Sequence, residues 1–202
     1  MSAASQSRPD AVTAFRLARR TFIQGERLDM QRLAADLGVD RTTLFRWVGN
    51  RDQLLAEILL SLGERTFADS VQRATGSGPQ RVADALGEFV QALIDAPYFR
   101  GYLRRETERA LRLLTTKASV VQHRMVELVE RLLREEQDGG RLSHPLPLPD
   151  LAYLIMRISE SFIYTDLITG DPPDAAKART AIAALLGHHV TGGLPRRRRR
   201  QP

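Results

Sequence analysis

The chain has no cysteine. That absence excludes a disulfide framework, a thiol nucleophile and a cysteine-held zinc or iron–sulfur centre. No apolar run reaches the roughly 18 residues that a membrane helix needs. The first thirty residues also lack the apolar stretch of a secretory signal. The cytoplasm is the expected location. Strand signals are missing: no alternating run of Val, Ile, Thr and aromatics stands beside an Asn-Gly or Asp-Gly turn. Lysine is confined to Lys117 and Lys177, so almost every cation is arginine, a bias that reflects base composition more than chemistry.

Catalytic patterns are equally scarce. The four histidines are His123, His144, His188 and His189, and none stands in a His-Glu-x-x-His pattern. Ser159 and Ser161 flank Glu160 without a strand-turn-helix elbow around them. A hydrolase acting on a small molecule is the weakest reading, and no cofactor or metal is expected.

What is present is charge at the ends and helical periodicity between them. Residues 1–51 hold nine Arg against five acidic residues, a balance of +4, and Arg196 to Arg200 add +5. The net charge of +6 then leaves −3 for the rest of the chain. A basic head on a mildly acidic body suits contact with a polyanion. The arginine run alone would also suit a protein that coats DNA without sequence preference, although a solvated tail is its ordinary role.

The fold class expected is all-α. Asp10 caps a first helix with Ala11, Phe15, Ala18 and Phe22 on one stripe, ended by Gly25. Asp29 caps a second, with Leu33, Ala34 and Leu37 inward, and Gly38 supplies a tight turn. A short third helix runs from about Arg41 to Gly49, and Asp52 is read as the cap of a fourth that ends near Arg73. Thr75 to Pro79 breaks the chain before a helix with Val82, Leu86 and Phe89. Further helices are expected over about 98–115, 119–136, 150–169 (capped by Asp150) and 174–190. The domains read as 1–51 for the head, 52–191 for a helical body and 192–202 for a disordered arginine-rich tail.

Residues 28–51, LDMQRLAADLGVDRTTLFRWVGNR, have the form of a helix-turn-helix. Leu33, Ala34 and Leu37 pack the first helix, Val39 plugs the turn, and Leu44 with Val48 anchors the second. Arg41, Thr42, Phe45 and Arg46 are left outward, on a helix of the size that the major groove admits. The alternative is an ordinary helical hairpin with a polar face. The position of this pattern behind a basic amphipathic helix favours DNA.

The run LAADLGVDRTTLFRWVGNRDQLL resembles the DNA-binding signature of the TetR family of regulators. That resemblance implies a dimer that reads a palindromic operator, most often as a repressor, and that is released by a small molecule. Arg41 or Arg46 is the expected guanine reader, Thr42, Thr43 and Arg51 are expected on the DNA backbone, and Asn50 joins the DNA-binding set. Phe45 stands where the family carries Tyr and lacks the hydroxyl that would reach a phosphate; sugar or a thymine methyl is its alternative contact. Trp47 is expected between the third and fourth helices. The segments MRISESFIYTDLITGDPPD and RTFIQGERLDM resemble the QsdR-type branch, which implies a γ-butyrolactone or acyl-homoserine lactone effector.

The penultimate helix is apolar almost all round, with Leu151, Ile155, Ile158 and Phe162 on one stripe. The family resemblance puts the last two helices in a homodimer interface, with Ala178, Ile182 and Leu185 as a narrow packing face. Arg157 and Glu160 lie within this apolar helix, where charges need a partner or a use. They read either as an i, i+3 ion pair or, for Glu160 and Tyr164, as the wall of an effector pocket. Tyr102, Glu106, Phe89, Met125 and Met156 complete the expected pocket.

Overall fold

Asp10, Asp29 and Asp40 each end an extended stretch by accepting backbone N–H bonds from the first turn of a helix. These local signals set the first three elements of the computed structural model, which describes residues 9–187. They are α1 (Ala11–Ile23), α2 (Met30–Leu37) and α3 (Arg41–Val48). Gly38 ends α2 at φ 65° and turns the chain into α3. α1 packs across α2 and α3, with Ala14, Ala18, Leu33, Ala34, Leu44 and Val48 buried between them.

The remaining helices are α4 (Arg51–Arg73), α5 (Gly78–Asp95), α6 (Pro97–Arg105), α7 (Thr107–Thr115), α8 (Val120–Asp138), α9 (Leu148–Ile163), the one-turn α10 (Thr165–Ile168) and α11 (Ala175–Leu185). No strand occurs among the described residues, and no described helix is long and apolar enough to cross a membrane. α5 is central and packs on α4, α6, α8, α9 and α11. α8 lies on α4 and α9, and α1 touches both α4 and α6.

Several boundaries differ from the sequence reading. α4 is capped by Asn50, not Asp52: the Asn50 side chain accepts from Gln53 N–H while the Gln53 side chain accepts from Asn50 N–H. Asp52 sits within the first turn, where its charge suits the helix dipole. α9 begins after Pro147, with Pro149 and Asp150 inside its first turn. The single helix expected over 98–115 is broken at Glu106, whose φ −135° and ψ 47° are not helical. The helix expected to reach Thr169 stops at Ile163 and resumes as α10. Arg196 to Arg200, His188, His189 and the expected helix end at Val190 lie outside the described residues.

A polar staple closes the far end of the body. Glu136 is 1% exposed and accepts from Gly78 N–H at 2.7 Å, from Arg141 at 2.6 Å and from Arg81. Burial alone would push its carboxyl up, but Arg141, the Gly78 N–H and Arg81 outweigh this and hold it at about 2.

Candidate functional site

The recognition surface is built by α3. Leu44 and Val48 are buried and fix the helix against the head, while Arg41, Thr42, Phe45 and Arg46 are exposed. Phe45 is 57% exposed, so most of its ring faces outward. Trp47 is half-buried and borders a groove with Asp52, Gln53 and Ala56 of α4. Thr43 serves the cap: its N–H and hydroxyl both donate to Asp40. Asn50 is exposed, and its side-chain oxygen is held by Gln53 N–H, while its NH₂ makes no hydrogen bond among the described residues. Arg27, Arg41, Phe45, Asn50 and Arg51 border one open cleft of about 790 Å³ on this side of the head.

Arg51, expected on the DNA backbone, is engaged within the chain. Its guanidinium donates to Leu28 C=O at 2.7 Å and to both oxygens of Glu106 at 2.5 and 2.7 Å. Hydrogen bonding to Arg51 holds the Glu106 carboxyl below the usual range. Beside it, Asp52 accepts from Arg109 at 2.9 Å and Arg112 at 2.7 Å. The start of α4 is thus clamped to the α6–α7 break.

An apolar cavity of about 50 Å³ lies between α4, α5, α6, α8 and α9. Of the residues expected in a pocket, Phe89, Met125, Met156, Glu160 and Tyr164 line it. Tyr102 and Glu106 do not. The break at Glu106 turns that stripe toward the head, where Tyr102 packs edge-on to Phe22 with ring centroids 5.3 Å apart and Glu106 meets Arg51. Burial pushes the Tyr102 and Tyr164 hydroxyls up. Sequence reasoning missed Leu59, Leu62 and Gly63 of α4, Phe99 of α6 and Gln122 of α8, all of which line the cavity. Gln122 carried a signal: a polar residue beside Val121 and three before Met125, on the inward stripe of α8.

Glu160 borders the cavity, and its carboxylate lies 2.5 Å from Arg157 as an i, i+3 ion pair. Burial raises the Glu160 carboxyl to about 7 against the pull of Arg157. On the outer face of α9, Tyr153 and Leu154 are 50% and 39% exposed, in line with half-buried Ile158 and Phe162. α11 differs from expectation. Ala178 and Ile182 are fully buried inside the chain, where α11 packs on α5 and α9. The seryl hydroxyls near Glu160 are engaged: Ser159 donates to Ile155 C=O and Ser161 to Ile158 C=O. His144 accepts from Leu146 N–H through Nδ1 and so donates from Nε2 to Leu185 C=O.

A helix-turn-helix with an outward second helix, joined to a helical body around an apolar cavity, defines a one-component DNA-binding transcription regulator. Residues 77–187 match the tetracyclin repressor-like C-terminal domain, more than half of the chain, and the chain belongs to the TetR family of transcription regulators. It is similar to the transcriptional repressor QsdR of R. erythropolis, at 29% identity and TM-score 0.83, over 91% of this chain and 97% of that one. It is also similar to the TetR family repressor AlkX of Dietzia sp. strain DQ12-45-1b, which is implicated in biodegradation of n-alkanes. That likeness is at 25% identity and TM-score 0.61, over 90% and 97%. FadR of Bacillus subtilis, solved with stearoyl-CoA, shares the fold at 10% identity and TM-score 0.55, over 86% and 95%. No curated protein sequence matches the chain.

Proposed function

We propose that this regulator is a repressor that binds a palindromic operator as a homodimer and leaves it when a small apolar effector enters the cavity. Residues 1–51 form the reading head and 52–191 the effector and dimerisation body. The observation that carries the DNA reading is the outer face of α3: four side chains project from a helix whose opposite face is locked in the core. Arg41 and Arg46 are the base readers, because both are exposed and neither is engaged in an ion pair within the described residues. Asn50 and Thr42 hold the DNA backbone.

The partner of the α9 face is a second copy of this chain. Tyr153 and Leu154 are exposed and Ile158 and Phe162 half-buried on α9, and exposed apolar side chains grouped on one helix suit an interaction face. Arg157 lies over the Tyr153 ring at 5.3 Å. A dimer through α9 and the outer side of α11 covers this face. It sets two recognition helices about one DNA turn apart, or a multiple of it.

The effector acts by population shift, binding the released conformation better than the operator-bound one. α4 is the lever, since it walls the cavity at Leu59 and Gly63 and begins at Arg51 beside the head. The lactone class implied by the QsdR-type resemblance is consistent with an apolar wall and a few polar groups. Footprinting on genomic DNA upstream of the gene tests the DNA reading. A discrete palindrome is expected, with Arg46→Ala losing operator preference; a continuous ladder of protection would establish non-specific coating instead.

A further inference from the structure

The cavity contains an amide that the other described residues do not fully satisfy. Gln122 lines it and is 6% exposed; its amide makes no hydrogen bond of full geometry within the described residues, and its closest polar neighbour is the Glu160 carboxyl, which it pulls down. Glu160, also 6% exposed, lines the same cavity. The remaining wall is apolar, chiefly Leu59, Leu62, Phe89, Met125 and Met156.

Charge decides what such a site accepts. Among the described residues no Lys, Arg or His lines the cavity. Arg157 approaches the Glu160 carboxylate at 2.5 Å but is not part of the lining. A carboxylate head would therefore enter an apolar space with no cation facing it and one carboxyl group already there, which is costly. A cationic head would find Glu160 already balanced by Arg157 and would leave a net buried charge. A neutral head avoids both penalties. The amide donor and acceptor of Gln122 select one that offers an acceptor and a donor side by side.

Resting on the effector-cavity reading above, we infer that the occupant is an uncharged amphiphile whose head carries an adjacent carbonyl and N–H, as an amide does, on an apolar chain. The head pairs with the Gln122 amide, with Glu160 accepting any remaining hydrogen. The apolar chain lies against α4 and α5. The space of about 50 Å³ has room for a few water molecules, at roughly 10–15 Å³ each. Entry therefore requires the flexible Met125 and Met156 side chains to move and α4 to be displaced at Leu59, Leu62 and Gly63. That displacement is the movement that repression needs to be relieved.

The test is thermal melting of the full chain with three probes of equal length and different head charge: octanamide, octanoate and octylammonium. Octanamide at saturation is expected to raise Tm by about 3 °C, with the two charged probes at least roughly tenfold weaker. Gln122→Leu is expected to leave the unliganded Tm equal or higher, because it removes an incompletely bonded buried amide, and to abolish the octanamide response. Glu160→Gln is expected to admit octanoate. Octanoate stabilising the wild-type chain as well as octanamide overturns the inference while leaving the cavity an effector site. A full octanamide response in Gln122→Leu also overturns it. If no probe shifts the wild-type Tm, the effector-cavity reading itself fails. Should either variant not fold, the wild-type ranking of the three heads decides alone.

Discussion

Arg51 and Glu106, 55 residues apart in sequence, meet in a two-pronged ion pair with Nη2–Oε1 at 2.5 Å and Nη1–Oε2 at 2.7 Å. The pair joins the first residue of α4 to the break between α6 and α7. A third bond to Leu28 C=O ties it to the chain just before α2. In this arrangement the Arg51 guanidinium acts as a structural latch.

Glu106→Gln is expected to remove the latch and cost about 2 kcal/mol, since the pair is mostly buried and its partner charge is left without balance. Tm falls by roughly 4–8 °C. The same change frees Arg51, so DNA binding should show a steeper salt dependence, by about one unit of slope per protomer. An unchanged slope alongside a lowered Tm would show that Arg51 stays away from DNA even when released.

Gly63 of α4 faces the cavity, and a Cβ there would meet only Met125 Sδ, at an ordinary 3.4 Å. Gly63→Ala should therefore stabilise the chain by about 0.5–1 kcal/mol through helix propensity. It should also weaken effector binding by filling the wall that must move. Melting curves with and without octanamide read both effects.

Gly78 is the opposite case. Its φ is +60°, and a Cβ would lie 2.4 Å from Arg141 C=O. Gly78→Ala should cost on the order of 2–4 kcal/mol, because it strains the backbone and pushes the Gly78 N–H off Glu136. Denaturant unfolding measures this directly.

Glu136 itself makes stability depend on acid. Its carboxyl titrates at about 2 in the fold, against 4.5 ordinarily. A lowered value stabilises the folded chain above the ordinary value, and that stability is lost as pH falls from about 4.5 through 2. The amount is on the order of 3 kcal/mol. Glu136→Gln should be less stable at pH 7 and show a flatter loss across this window when unfolding is followed by circular dichroism.

Leu154 and Ile158 give a test of the dimer face. Leu154→Arg combined with Ile158→Asp places charge on a stripe that is exposed or half-buried in the single chain. Secondary structure should be retained while sedimentation shows monomers, and operator affinity should fall by well over tenfold as the two half-sites uncouple.

The amino-acid sequence determined the parts of this protein whose causes are local. Asp10, Asp29 and Asp40 cap because an extended acidic residue meets free N–H groups two or three residues on. Gly38 turns the chain because it accepts a positive φ. The buried stripe of α3 follows from Leu44 and Val48 standing four apart, and it leaves Arg41, Thr42, Phe45 and Arg46 outward whatever lies beyond. Five cavity residues were legible for a similar reason, as apolar or unexpectedly polar positions on inward stripes. Tertiary structure decided the rest. Whether Tyr102 and Glu106 face the cavity or the head depends on a backbone break at Glu106, stabilised by an arginine 55 residues away. Whether Ala178 and Ile182 meet a partner or α5 depends on which neighbour arrives first in space. Arg51 shows the difference most clearly. Sequence position puts a cation at the head of α4, but only packing brings Glu106 within 2.5 Å of it and so assigns that cation to the fold.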